Sequence, residues 1–203
     1  MNTPGLTVIK VGGSLLDLDN LEARLSAILA RHGPRVLLIA GGGKVVDVVR
    51  ELDQRHGLGD QQAHDLAIRG LDFTAAILCA FIPECALMWR PMELEVNWSG
   101  GRVPILIPSL FLDAFDQPRP DSLPASWRIT SDSIAARAAV ILGAKHLILL
   151  KSVTPPEGSS RADAARLGLV DPCFPDIARD IPRVTQINPR EPLSEGVMLV
   201  ADS

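Results

Sequence analysis

Val8-Ile9-Lys10-Val11-Gly12-Gly13-Ser14 is the stretch that decides the fold. Leu6 to Val11 is a short apolar run that stops at two glycines, the pattern of a buried strand feeding a tight turn. Lys10 interrupts that run with a charge, and a charge inside a buried strand is costly unless it is paired or used. Glycines directly after a strand let the backbone approach an anion and aim N–H groups at it. Lys10, Gly12, Gly13 and Ser14 are therefore a candidate anion loop. The plain alternative is a tight turn with a strand lysine reaching solvent.

The same arrangement recurs further along. Val36 to Ala40 is a second apolar run, followed by Gly41-Gly42-Gly43-Lys44. Three glycines ahead of a helix leave bare amides at its positive end. Gly41, Gly42, Gly43 and Lys44 thus form a second candidate anion loop, against an ordinary strand-to-helix connection. Neither loop matches the GxxxxGK(S/T) or GxGxxG pattern. Val45, Val48, Val49 and Leu52 then follow at helical spacing up to His56, and Gly57 and Gly59 stop the helix.

The third element is Thr130-Ser131-Asp132-Ser133, which opens a helix to Leu142 with a face of small residues. Asp132 reads either as part of a cap or as a partner for Lys10 or a magnesium-bound phosphate. His146 to Leu150 is a further buried strand, and Lys151 ends it. Only four of the 20 Lys and Arg residues are lysine, and Lys10, Lys44 and Lys151 stand at these strand ends and loops. A lysine ammonium is a compact point charge where arginine is a bulky fork, so its retention fits a steric demand.

Leu21 to Arg31 and Asp60 to Ala80 read as helices, the second with a break at Gly70. Cys85 to Met88, Val103 to Ile107, Val184 to Ile187 and Val197 to Val200 read as strands. Residues 116–126, with Pro118, Pro120 and Pro124, and residues 154–165 read as loops, and Asp171 to Pro175 as a turn. Strands alternating with glycine turns and helices imply an α/β protein with a mostly parallel sheet covered on both faces. Ligands of such sheets sit beyond the carboxyl ends of the strands, so both glycine loops point to one rim. His64 and Asp65 lie on a helix entering the possible substrate side and read more readily as its solvated face, and Trp89, Trp98 and Trp127 read as core or lid packing.

Composition narrows the classes. The chain has 203 residues, 47% hydrophobic and 22% charged, with net charge -4. This suits one domain and gives no basic face for nucleic acid or a membrane surface. No apolar run approaches roughly 18 residues, so no membrane span is expected. The N-terminus lacks a basic region followed by an apolar stretch and a cleavage site, so no secretory signal is expected. Cys79, Cys85 and Cys173 form no CxxC pair and read as reduced thiols of a cytoplasmic protein. No His/Cys spacing suggests zinc.

Taken together, Val8 to Ser14, Ile39 to Gly43, Thr130 to Ala136, Leu142 to Lys145 and Leu147 to Leu150 resemble the amino-acid kinase superfamily. That family includes acetylglutamate, uridylate, aspartate and isopentenyl phosphate kinases. The resemblance covers residue 6 to about 153. It implies a three-layer sandwich around a central, mostly parallel sheet, with all 203 residues in a single domain whose nucleotide-side half, about 150–203, is shortened. It also implies that Lys10 stabilises a transferring phosphoryl group and that Asp132 organises the lysine. Gly12, Gly13, Ser14, Thr130 and Ser131 would then serve the phosphate and nucleotide, and Gly41, Gly42, Gly43 and Lys44 the acceptor. Within the family, the Thr-Ser-Asp-Ser helix start and the Leu-Leu-Lys strand end are most similar to the aminomethylfuran phosphate kinase branch of methanofuran synthesis and its relatives in one-carbon metabolism.

Two departures stand out. Lys151-Ser152-Val153-Thr154-Pro155-Pro156 replaces the family's Thr-Asp-Val-Asp/Pro-Gly-Val segment, and the later Gly-Gly-Met-x-x-Lys segment has no counterpart. Lys151 is then the candidate for the second positive charge. The resemblance implies an ATP-dependent kinase for a small phosphate or carboxylate acceptor, with Mg2+ carried by ATP and no direct protein ligand. The alternative is a non-catalytic relative that binds an anion or a partner subunit. A homodimer or larger homo-oligomer is expected, with Leu71 to Ile82 either its surface or internal core.

Overall fold

The computed structural model describes residues 5–90, 92–192 and 195–202. Its elements run β1 (Thr7–Val11), a 3-10 turn (Gly13–Asp17), α1 (Leu21–Leu29), β2 (Val36–Ala40), α2 (Gly43–His56), α3 (Asp60–Phe81) and β3 (Cys85–Met88). They continue with α4 (Glu93–Ser99), β4 (Val103–Leu106), α5 (Pro108–Phe111), a π-helical turn (Leu112–Asp116), α6 (Ser131–Ile141) and β5 (His146–Leu150). The last are α7 (Arg161–Arg166), α8 (Phe174–Ala178), β6 (Arg183–Ile187) and β7 (Val197–Met198). The strands form one sheet in the order β3-β4-β2-β1-β5-β6-β7. All pairings are parallel except β6 with β7, as the strand–helix alternation predicts.

β1 lies at the centre, with Lys10 registered against Ile39 of β2 and Leu149 of β5. Successive strand residues face opposite sides. Val8, Leu37, Ile39, Leu147 and Leu149 therefore pack on one face against Ala135, Ala138 and Ala139 of α6 and Phe174 of α8. Ile9, Val11, Leu38, Ile148 and Leu150 pack on the other against Leu25 and Ile28 of α1 and Leu78 of α3. The alanine face lets α6 lie close to the sheet. Phe174 is completely buried beside it and contributes about 2 kcal/mol by burial.

The structure revises several sequence readings. α3 runs unbroken through Gly70. A Cβ there would lie 3.2 Å from Val46 and 3.3 Å from Val45, so this glycine serves the close packing of α2 on α3. The expected loop at 154–165 contains the start of α7, where Ser160 and Asp163 form a reciprocal capping box. The turn at Asp171 to Pro175 opens α8, and only Val197–Met198 of the last expected strand pairs in the sheet. Trp89 is exposed, whereas Trp98 is half-buried and donates from Nε1 to the Val36 carbonyl at 2.8 Å. Leu71 to Ile82 is divided: Leu71, Ala75, Leu78 and Ile82 are buried, while Phe73 and Phe81 are exposed.

The two glycine loops cross at the carboxyl end of β1 and β2. A Cβ on Gly13 would stand 2.0 Å from the Gly43 nitrogen, so only glycine fits. Gly57 instead ends α2 at φ 62 with open space around it. Gly13→Ala is therefore expected to cost about 3 kcal/mol or more, and Gly57→Ala about 1 kcal/mol, the ordinary left-handed penalty. Urea unfolding of both variants checks the order, and equal losses would contradict the crossing.

Candidate active site

Strand alternation places Lys10 on the face of Val8, the face that α6 covers. The first turn of α6 carries Asp132, so the two buried charges meet. Asp132 Oδ1 lies 2.9 Å from Lys10 Nζ, an ion pair off the line of a hydrogen bond, and Oδ2 accepts from Lys151 Nζ at 2.5 Å. Lys151 reaches it because β5 runs parallel to β1 and ends at Leu150, level with Val11.

Burial and its opposite charges set the protonation of this trio. Burial lowers Lys10 to about 8, against the pull of Asp132 and with the help of Lys151. Burial also works to raise Asp132, but the two ammonium groups outweigh it and hold the carboxyl at about 2. One carboxylate between two ammonium groups leaves a surplus positive charge near neutral pH. That surplus opens onto a cavity of about 400 Å³, which suits an anion.

Eight of the sequence candidates line this cavity: Lys10, Gly13, Gly42, Gly43, Thr130, Ser131, Asp132 and Lys151. Gly12, Ser14, Gly41 and Lys44 do not. The Gly12 amide donates to the Leu150 carbonyl at 2.9 Å and the Gly41 amide to the Val11 carbonyl at 2.7 Å. These two glycines continue the sheet pairing past the strands and so have no amide left for an anion. Ser14 is exposed and shares a 3.2 Å hydrogen bond with Ser152, and Lys44 points to solvent. Thr130 lines the wall, yet its N–H and hydroxyl both donate to Asp171 Oδ2, at 3.0 and 2.8 Å, and its hydroxyl oxygen accepts from the Asp132 amide. Its polar groups serve the cap of α6 and not a phosphate.

The structure also brings in residues that the sequence reading left aside. His64, read as a solvated position, is half-buried in the cavity wall, and burial lowers its pKa against Asp65. Trp127 forms another part of the wall. Its Nε1 donates to Asp53 Oδ2 at 2.7 Å, and Arg50 of α2 lies over its ring at 4.9 Å. Ile68, Leu71 and Ile129 add an apolar surface between them. Asp171 borders the cavity too. The Asp-Pro pair before Phe174-Pro175 was a legible helix start, but its partners 38 to 41 residues away were not.

Asp132 is committed to two lysines and Asp171 to helix amides and hydroxyls, and no cluster of three His, Cys, Asp or Glu among the described residues could hold a metal ion. Among the same residues no helix is long and apolar enough to cross a membrane.

The fold and this lysine–aspartate–lysine rim agree with the sequence comparisons. The profile of the Amino acid kinase family matches residues 5–154, and the chain belongs to that family. It is similar to the [5-(aminomethyl)furan-3-yl]methyl phosphate kinase of Methanocaldococcus jannaschii, with 27% identity over 147 residues, 72% of this chain and 65% of that protein. The matched region thus spans just under two thirds of that relative. Uridylate kinase from Archaeoglobus fulgidus has the same fold, at a TM-score of 0.62 and 18% identity over 91% of this chain and 92% of that one. So does aspartate kinase from Synechocystis, at a TM-score of 0.68 and 17% identity over 97% of this chain and 40% of that one.

Asp132→Asn leaves two ammonium groups facing each other without a counter-charge. It is expected to cost on the order of 3 kcal/mol in urea unfolding at pH 7. Because the Asp132 pKa is depressed from 3.8 to about 2, the wild type keeps this contribution above about pH 4 and loses it as pH falls towards 2. The Asn variant lacks that acid-side loss, so the difference between the two proteins should narrow over this window. A constant difference would contradict the ion-pair assignment.

Proposed function

We propose that this protein is a small-molecule kinase that transfers the γ-phosphoryl group of ATP to a small phosphate or carboxylate acceptor. The observation that carries this reading is the pair of ammonium groups, buried Lys10 and half-buried Lys151, held by one buried carboxylate at the rim where the two glycine loops cross. Phosphoryl transfer asks little covalent chemistry of a protein and much positioning and charge neutralisation. The acceptor oxygen bonds to the γ-phosphorus, the bond to the β–γ bridging oxygen breaks, and ADP leaves. Lys10 stands where negative charge accumulates on the moving group, and Lys151 supplies a second positive charge beside it. Gly13, Gly42 and Gly43 let the backbone come close to the phosphates.

The cavity also fits the acceptor in this reading. Trp127 and the side chains of Ile68, Leu71 and Ile129 offer a flat apolar wall, and Arg50 and His64 border it with nitrogen donors. A phosphate monoester on a small unsaturated ring matches that combination. The Methanocaldococcus relative is named for such an acceptor, an aminomethylfuran methyl phosphate. A role in making a one-carbon cofactor of the methanofuran kind follows from the same likeness. Magnesium enters as the ATP–magnesium complex, and no protein group is assigned to it. The chain acts as a single kinase domain in this reading. Self-association through the outward face of α3, where Leu66, Phe73 and Phe81 are exposed, completes the reading.

The direct test is phosphoryl transfer from ATP–magnesium to a panel of small phosphates and carboxylates. Lys10→Ala is expected to lower kcat by about 100- to 1000-fold while the protein stays folded. Undiminished transfer in this variant would overturn the assignment. A folded wild type that binds no ATP–magnesium at millimolar concentration would instead favour a non-catalytic member of the family. In the active enzyme, kcat/KM should fall about tenfold per pH unit above about 8, where free Lys10 loses its proton. Bound phosphates favour the ammonium form, so the corresponding limb of kcat should lie at higher pH.

A further inference from the structure

Asp171 is buried, lies outside the lysine–aspartate–lysine trio, and yet is its most heavily bonded neighbour. Its Oδ2 accepts from the Thr130 amide at 3.0 Å, the Thr130 hydroxyl at 2.8 Å and the Ser133 amide at 3.1 Å. Its Oδ1 accepts from the Ser133 hydroxyl at 2.5 Å and from the Cys173 and Phe174 amides, each at 3.1 Å. One carboxylate thus closes the amino-terminal turns of α6 and α8 together, where helix amides carry partial positive charge. Asp132 sits between the two α6 residues that Asp171 holds, and its own amide is capped by the Thr130 hydroxyl that Asp171 fixes.

We propose that Asp171 is a positioning residue for the phosphoryl-transfer site. Through Thr130 and Ser133 it locks the first turn of α6, and so holds the Asp132 carboxylate between Lys10 and Lys151. This rests on the kinase reading for its functional meaning, though not for its geometry. The physical demand is clear. Lys10 is buried, and Asp132 facing it opposes the lowering of its pKa that burial imposes. Lys10 approaches Asp132 from β1 and Lys151 from just past the end of β5, whereas Asp132 rides on a helix of its own. A small shift of that helix turn would part the carboxylate from both ammonium groups. Helix α8 packs on α6 and presents Phe174 to the core, so Asp171 ties the turn to a rigid body.

Asp171→Asn tests this, because an amide is nearly isosteric. Whichever way the amide turns, its NH2 group faces three groups that donate to the wild-type carboxylate: the Thr130 amide and hydroxyl with the Ser133 amide, or the Ser133 hydroxyl with the Cys173 and Phe174 amides. The readout is the titration of Lys10 by NMR in protein labelled with [13Cε]lysine, feasible because the chain has four lysines. The other charged groups around the cavity are Asp47 and Arg50 of α2, His64 of α3 and Lys151 after β5, and none of them is altered.

The wild type should titrate Lys10 near 8. In Asp171→Asn the displaced Asp132 supports the ammonium less, so the Lys10 titration should move down by about one pH unit. The basic limb of kcat/KM should move with it, so that between pH 7 and pH 9 the wild type falls about tenfold and the variant about fiftyfold. A role confined to fold stability would leave both curves in place in the folded protein, and unchanged curves overturn the proposal. If Asp171→Asn does not fold, Ser133→Ala removes only the hydroxyl contact on the α6 side. It should move the Lys10 titration down by a smaller amount, and an unchanged titration there also overturns the proposal. A wild type without transferase activity would count against the kinase reading alone, because the NMR titration still decides the role of Asp171.

Discussion

A single buried carboxylate between two ammonium groups governs this structure. Asp132 has to be ionised to hold Lys10 and Lys151, and they have to be charged to keep it ionised. Each of these groups would be costly at its position alone. Together they tie the central strand, the end of the neighbouring strand and the helix above them to one point. The surplus positive charge that results leaves the rim suited to an anion.

The rest of the architecture supplies that point with rigidity and access. The alanine face of α6 brings its first turn down onto the sheet, and Asp171 keeps the turn from fraying. The crossing of Gly13 over Gly43 leaves the backbone exposed beside the lysines instead of burying it under side chains. Trp127, held to α2 through Asp53 and Arg50, closes the side away from the sheet. The cavity therefore has a charged end set by the sheet and an apolar end set by α2, α3 and the segment before α6.

Much of this was legible in local sequence. Apolar runs ending in glycines marked β1 and β2, and the Thr-Ser-Asp-Ser start marked α6. Alternation along β1 implied that Lys10 would need a partner. The errors have a common origin. Gly70 looked like a helix breaker, because a glycine that permits close helix packing and one that ends a helix are the same letter. Gly12 and Gly41 looked like anion ligands, yet their amides extend the sheet. His64 looked solvated, because the segment that covers it, around Ser126, lies more than 60 positions away.

The sequence by itself determined the strand–helix order, the parallel sheet and the rim on which the glycine loops lie. These follow from periodicity, glycine placement and capping, which act over a few residues. Only the tertiary structure decided which polar groups are free. It assigned the Thr130 hydroxyl and the Gly12 and Gly41 amides to internal partners, joined Lys151 to Asp132, and made Asp171 the cap of two helices. Hydrogen bonds and ion pairs are satisfied by whatever the fold brings within reach, and that reach is set by packing across the whole chain.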